Sequence, residues 1–170
     1  MKFTRLNPVT GEVASEAEAM QAVDMAAVAE KAQQGFEAWS KVGPNARRAV
    51  LQKAATALES KQDAFVAAMM GETGATAGWA MFNLMLAASM LREASALTTQ
   101  IRGEVIPSDK PGCMAMALRE PVGVILGIAP WNAPIILGTR AVSTALACGN
   151  AVILKASEIC PLTHSLIIEA

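Results

Sequence analysis

The stretch from Glu120 to Glu158, EPVGVILGIAPWNAPIILGTRAVSTALACGNAVILKASE, restricts the fold of this chain more than any other. Val122 to Ile128 is a short, continuous apolar run with Val and Ile, the pattern of a strand buried on both faces. Ala129, Pro130, Trp131 and Asn132 must turn, because Pro130 keeps Ala129 out of helical geometry. Pro134 suits the first turn of a helix that reaches Cys148, and Gly149-Asn150 supplies its stop. Ala151 to Leu154 is then a second buried strand. Strand, helix and strand together make a right-handed crossover with parallel strands. Such a unit belongs to an α/β fold, whose ligands sit at the carboxyl ends of the strands.

The chain ahead of this unit reads as helical packing material. Asn7-Pro8-Val9-Thr10-Gly11-Glu12 is turn chemistry between two short strands, Phe3 to Leu6 and Glu12 to Ala14. Ser15 with Glu18 has capping-box spacing and predicts a helix running to about Ser40, with Met20, Val23, Ala27, Phe36 and Trp39 on its buried side. A second helix is expected over Ala46 to Leu58. A third, capped by Ser60 with Asp63, should stop near Gly71, and a long apolar helix should cover Ala75 to Ile101. Gly103 to Gly112, with Pro107 and Pro111, reads as a surface loop. Cys113 to Arg119 alternates as a half-buried strand, with Met114, Met116 and Leu118 on one side and a packed Cys113 on the other.

Thr73 to Leu91 carries no charge and raises the question of a membrane span. Its glycines, threonines, alanines and Asn83, with no basic flanks, favour a helix buried in a soluble fold. Hydrophobic residues make up 53% of the 170 residues and charged ones 17%, so much apolar surface needs cover, from the fold or from another subunit. Fourteen basic and 15 acidic residues are spread along the chain, which gives no footprint for nucleic acid or an anionic membrane. Three cysteines without CxxC spacing and a single His164 argue against a metal site and for a reducing cytoplasm.

Chemistry concentrates at the strand ends. Asn132 stands in the first loop, where its amide can donate to an oxyanion or cap the helix that follows. Lys155 and Glu158 follow the second strand on the same edge. They fit either the donor and acceptor of a ribose site or an exposed i,i+3 pair. No GxGxxG is present.

Several segments now resemble a known family, in order and in spacing. They are Asn7-Pro8 with Thr10-Gly11-Glu12, Glu72-Thr73-Gly74, Glu120-Pro121-Val122-Gly123-Val124, Pro130-Trp131-Asn132-Ala133-Pro134, Ala145-Leu146-Ala147-Cys148-Gly149-Asn150 and Lys155-Ala156-Ser157-Glu158. They resemble the aldehyde dehydrogenase superfamily over essentially the whole chain. Arg140 and Ala156 resemble its aromatic-aldehyde branch, salicylaldehyde dehydrogenases in particular. The resemblance implies an α/β fold of N-terminal helices plus the start of a Rossmann-like parallel sheet, a truncated NAD-binding domain. Residues 1–112 would form N-terminal strands and helices, 113–121 a strand of bridging or oligomerisation type, and 122–170 the cofactor unit.

The resemblance also implies roles. Asn132 would donate to the oxyanion of a thiohemiacetal, Ile128, Ala129, Pro130 and Trp131 would wall the nicotinamide of NAD, and Lys155 and Glu158 would hold the adenosine ribose. Trp79 and Arg140 resemble residues lining a channel for a small aromatic aldehyde, and both also fit plain packing roles. The family's nucleophilic cysteine and general-base glutamate match no residue here. Cys160, ahead of Pro161 at a helix start where the dipole lowers a thiol pKa, ranks above Cys148 as a substitute. Cys148 lies at a helix C-terminus, which disfavours a thiolate. Plain burial of all the cysteines is the competing reading. A sheet edge left open by two parallel strands predicts a homo-oligomer.

Overall fold

A computed structural model of the chain describes residues 2–170. The first hairpin pairs β1 (Lys2–Leu6) with β2 (Val13–Glu18) antiparallel, and the turn between them forms where the sequence places it. Asn7 Oδ1 accepts the Val9 N–H at 2.8 Å, and Gly11 takes a positive φ of 77°.

The helix expected from Ser15 does not form. Ser15 and Glu18 lie in β2, where the Ser15 hydroxyl donates to Glu72 at 2.5 Å. Capping-box spacing alone lost here to strand pairing with β1 and to a buried carboxylate that needs a donor. The reciprocal cap stands six residues later, where Asp24 Oδ2 accepts the Gln21 N–H at 2.7 Å ahead of a 3-10 turn (Ala22–Asp24) and α1 (Met25–Trp39). Met20 and Val23, expected to be buried, are exposed.

Three helices follow: α2 (Pro44–Ser60), α3 (Gln62–Thr73) and α4 (Ala77–Leu97). The Ser60 hydroxyl donates to the Ala57 carbonyl at 2.8 Å, ending α2 instead of capping α3. Gly71 does not stop α3, which runs on to Gly74, whose φ of 71° closes it. Leu51 and Leu58 of α2, Phe65 and Met69 of α3, and Leu84 and Leu91 of α4 form the main core with Ile135 and Ile167. Buried Ala80, Ala87 and Ala88 let neighbouring helices approach one face of α4, while Trp79, Phe82 and Met85 stay exposed on another. Among the described residues no helix is long and apolar enough to cross a membrane.

The loop expected over 103–112 contains a strand. β3 (Glu104–Ile106) pairs antiparallel with β4 (Ala115–Ala117), because Pro107 and Pro111 flank the strand and leave its donors intact. Cys113, expected to be packed, is exposed, and so are Met114, Met116 and Leu118 at 73%, 58% and 72%, so neither side of the strand is buried as its alternation predicts.

The crossover is β5 (Val124–Ile128), α5 (Pro134–Ala147) and β6 (Ala151–Lys155), followed by α6 (Pro161–Glu169). β5 and β6 are parallel, in register from Val124 with Ala151 to Ile128 with Lys155. α5 lies so close over β5 that a Cβ on Gly127 would sit 3.0 Å from that of Ala141. Leu126 and Ile128, on the other side of the pleat, are exposed, so β5 is not buried on both faces as its apolar run predicts.

Buried polar groups fix this unit from both ends. Asn150 Oδ1 accepts the N–H groups of Val122 at 2.8 Å and Gly123 at 3.1 Å, tying the start of β5 to that of β6. The last carbonyls of α5 have partners from far away in sequence: Trp39 Nε1 donates to Leu146 at 2.9 Å and Arg47 Nε to Ala147 at 3.1 Å. At the far side, the Glu72 carboxylate accepts from the Leu162 N–H at 2.8 Å, the Thr163 N–H at 2.9 Å and the Thr163 hydroxyl at 2.7 Å. It thereby caps α6 from a different helix.

Candidate functional site

Both strands of the parallel pair end at the same level. Ile128 stands opposite Lys155, and the Ala129 N–H donates to the Lys155 carbonyl at 3.1 Å, so the two following loops leave the sheet side by side. The first loop carries Pro130, Trp131 and Asn132, all exposed, while Ala129 is buried beneath them. Ala133 is the N-cap of α5 and no side chain caps that helix. Asn132 is therefore not the cap that its position allows. Its amide faces outward at the helix start, where free N–H groups and the dipole favour developing negative charge.

Lys155 and Glu158 form an ion pair of 3.4 Å with both side chains more than half exposed. The backbone amide of Glu158 itself, and after it Lys155, hold the Glu158 carboxyl below the usual carboxylate range. An exposed ammonium beside an exposed carboxylate offers one set of donors and one of acceptors, the chemistry a vicinal diol needs.

The remaining candidates lie on neighbouring helices. Trp79 is in the first turn of α4, where Thr76 Oγ1 accepts its N–H at 3.2 Å, and its ring stacks on Phe82 at 5.5 Å. Both rings are about half exposed, an aromatic platform of which the sequence reading had only Trp79. Arg140 is exposed about two turns along α5. α4 packs directly against α5.

The thiols do not join this group. Cys160 is fully buried, and burial, with the Glu72 charge adding to it, pushes its thiol up to about 12. The lowering expected from its helix start is overridden by desolvation, which keeps the Cys160 thiol protonated and away from the exposed strand edge. Cys148 lies beyond the opposite end of α5 from Asn132, roughly 20 Å away at 1.5 Å per helical residue. Cys148 and Asn132 therefore do not meet at one site. Among the described residues no group of His, Cys, Asp and Glu could hold a metal ion. An apolar cavity of about 320 Å³ between α1, α2, α5 and α6 contains none of these candidates.

The whole length, residues 1–170, matches the model of the aldehyde dehydrogenase family. The chain belongs to this family. Within it, the chain is 58% identical over 165 residues to a vanillin dehydrogenase of Pseudomonas fluorescens, covering 97% of this chain and 34% of that protein. The crystal structure of a salicylaldehyde dehydrogenase from Pseudomonas putida G7, complexed with salicylaldehyde, superposes with a TM-score of 0.96. It shares 44% identity over 99% of this chain and 35% of its own. An NAD-dependent benzaldehyde dehydrogenase from Corynebacterium glutamicum gives a TM-score of 0.93 at 29% identity, over 99% of this chain and 38% of its own.

The chain thus spans about a third of the length of the aldehyde dehydrogenases it matches. The α/β class and the family resemblance drawn from the sequence are borne out. Phe82 goes unnamed in the sequence analysis, and Glu72, Asn150 and His164 are named there without the partners they have in the fold. Phe82 had a signal, since it stands three residues after Trp79 on one helical face. The other three act through tertiary partners that no local pattern shows.

Proposed function

We propose that this chain forms the cofactor side of an NAD-dependent enzyme that oxidises a small aromatic aldehyde to its carboxylic acid. One observation carries the reading. Asn132, Lys155 and Glu158 stand exposed on the carboxyl edge of a single parallel strand pair, with no structural duty claiming the Asn132 amide. Lys155 and Glu158 bond the ribose hydroxyls, while Ile128, Ala129, Pro130 and Trp131 wall the nicotinamide. NAD, when bound, supplies the hydride acceptor. Asn132 donates to the carbonyl oxygen of the substrate as it becomes an oxyanion. Trp79 stacks on the aromatic ring, and Arg140 bonds its hydroxyl or the acid product. The thiol and the base of the family's chemistry come from outside these residues. Support for the aromatic aldehyde is the kinship with the vanillin, salicylaldehyde and benzaldehyde enzymes.

A second reading has its own observation. The β3–β4 hairpin exposes Val105, Met114, Met116 and Leu118 together, which suits a bridging strand between copies of the chain. On that reading residues 1–112, 113–121 and 122–170 are a helical base, a bridge and a cofactor unit, and the chain is a cytoplasmic module that binds NAD and self-associates without turnover.

NADH formation from vanillin and from salicylaldehyde by this chain joined to the part of the Pseudomonas fluorescens vanillin dehydrogenase that it does not cover, which brings a thiol and a base, separates the two readings, with NAD titrated by calorimetry alongside. In the first, Asn132→Ala lowers kcat about 10²–10³-fold with NAD affinity unchanged. Lys155→Ala weakens NAD binding about tenfold in both. NAD binding without any NADH formation selects the module. A Lys155→Ala chain that binds as tightly as the parent removes the ribose site from either.

A further inference from the structure

His164 is 1% exposed and lies in the first turn of α6. Its Nδ1 accepts the N–H of Ser157 at 3.1 Å. The ring is therefore the neutral tautomer with its proton on Nε2. Burial, the largest influence on it, lowers its pKa and holds that form. The other side of the ring lies against the first turns of α5, beside Gly138, with the Pro134 backbone, which has no N–H, as the acceptor on that side. Space for this contact exists only because residue 138 is glycine. A Cβ there would lie 3.0 Å from His164 Cδ2 and 2.6 Å from Ile167 Cδ1.

Besides the Cys160 thiol, whose Sγ lies 3.8 Å from Nδ1 and 4.0 Å from Nε2, the ring's two neighbours stand in the second loop and directly after the first. Pro134 opens α5 directly after Asn132 and Ala133, and Ser157 sits between Lys155 and Glu158. At the strand ends the two loops share one backbone bond, Ala129 N–H on the Lys155 carbonyl at 3.1 Å; beyond it the second loop bonds to itself, with Ile159 N–H on Ser157 Oγ at 3.2 Å and Cys160 N–H on the Ser157 carbonyl at 3.2 Å. An apolar side chain of the same size would leave a buried Ser157 N–H unpaired. The helix carrying His164 is itself clamped by Glu72, so the imidazole is held on a fixed base.

We propose that His164 is a positioning residue that couples the loop bearing Asn132 to the loop bearing Lys155 and Glu158, fixing their separation through one neutral imidazole. That these loops are the carbonyl and ribose sides rests on the function proposed above; the bridge itself does not.

Three variants of the full chain test the coupling. His164→Asn keeps an acceptor near the Nδ1 position, His164→Gln keeps a donor near Nε2, and His164→Leu removes both. Amide hydrogen exchange is followed by NMR at Ser157 and in the first turn of α5, with Tm as a control on folding and NAD titration alongside. The Asn variant should keep Ser157 protected and speed exchange in α5 at least tenfold; the Gln variant should do the reverse. NAD affinity should fall about tenfold for Gln and stay near the parent for Asn. The Leu variant should lose protection at both places, and if it fails to fold, the Asn and Gln pair still decides. Equal exchange in both segments for Asn and Gln, at parental Tm, would overturn the coupling. A parent chain that binds no NAD, with the split exchange pattern intact, would overturn the functional reading and leave the coupling standing.

Discussion

The crossover unit and the β3–β4 hairpin are both built from short apolar strands, yet the molecule treats them differently. Around β5 and β6 three ends are tied by buried or half-buried polar groups: Asn150 at the start of the strands, Trp39 and Arg47 at the foot of α5, Glu72 at the head of α6. The hairpin has three paired positions and no buried residue. An apolar pattern states a demand for cover. What meets the demand is set by the polar groups that lock helices onto a strand, and the hairpin has none, which leaves its apolar side chains for another surface to cover.

If this contrast is right, the largest loss should come from Glu72. Replacing it with Ala removes the acceptor of three buried or half-buried donors at α6 and of Ser15, and should destabilise the chain by about 3–5 kcal/mol in urea titration. A change below about 1 kcal/mol would mean that the clamp is ornamental and that the crossover is no better anchored than the hairpin.

An intermediate effect is expected on the alkaline side. The folded chain holds the Cys160 proton up to about 12, whereas an unfolded thiol releases it near its ordinary 9.0. Over that window the native state binds more protons, so stability falls as pH rises from 9.0 toward 12. Cys160→Ala should flatten this part of the pH–stability curve, and an unaltered slope would place the loss elsewhere. The smallest effect on stability belongs to the hairpin. Met116→Lys should change it by no more than about 0.5 kcal/mol, since the side chain is already in water. The same change should abolish self-association in light scattering; a chain that still assembles would not be using this hairpin.

Sequence alone placed β5, α5 and β6 almost to the residue, because their signals are local: an apolar run, a proline at a helix start, a glycine at its end. It also found the loop of Asn132 and the Lys155–Glu158 pair, which follow from strand ends. It failed where distant partners decide. Ser15 reads as a cap until Glu72 appears beside it, 57 residues away. Cys160 reads as an activated thiol until the fold closes over it, and the exposure of Met114 and Leu118 depends on what does not pack there. His164 is a lone histidine in the sequence, and only the approach of α5 and the Ser157 loop gives it two partners.

The clamp on α6 also has a history in time. Glu72 joins partners 90 and 91 positions later, and Arg47 and Trp39 wait 100 and 107 positions for theirs. At about 5–20 residues per second, a ribosome leaves the Glu72 carboxylate without its α6 donors for roughly 5–20 s. During that interval the helices α2 to α4 can collapse on their local contacts, but the apolar face that takes Ile135 and Ile167 stays uncovered. β6 and α6 are therefore the elements that turn a helical collapse into a folded unit, and slow closure of long loops sets the pace.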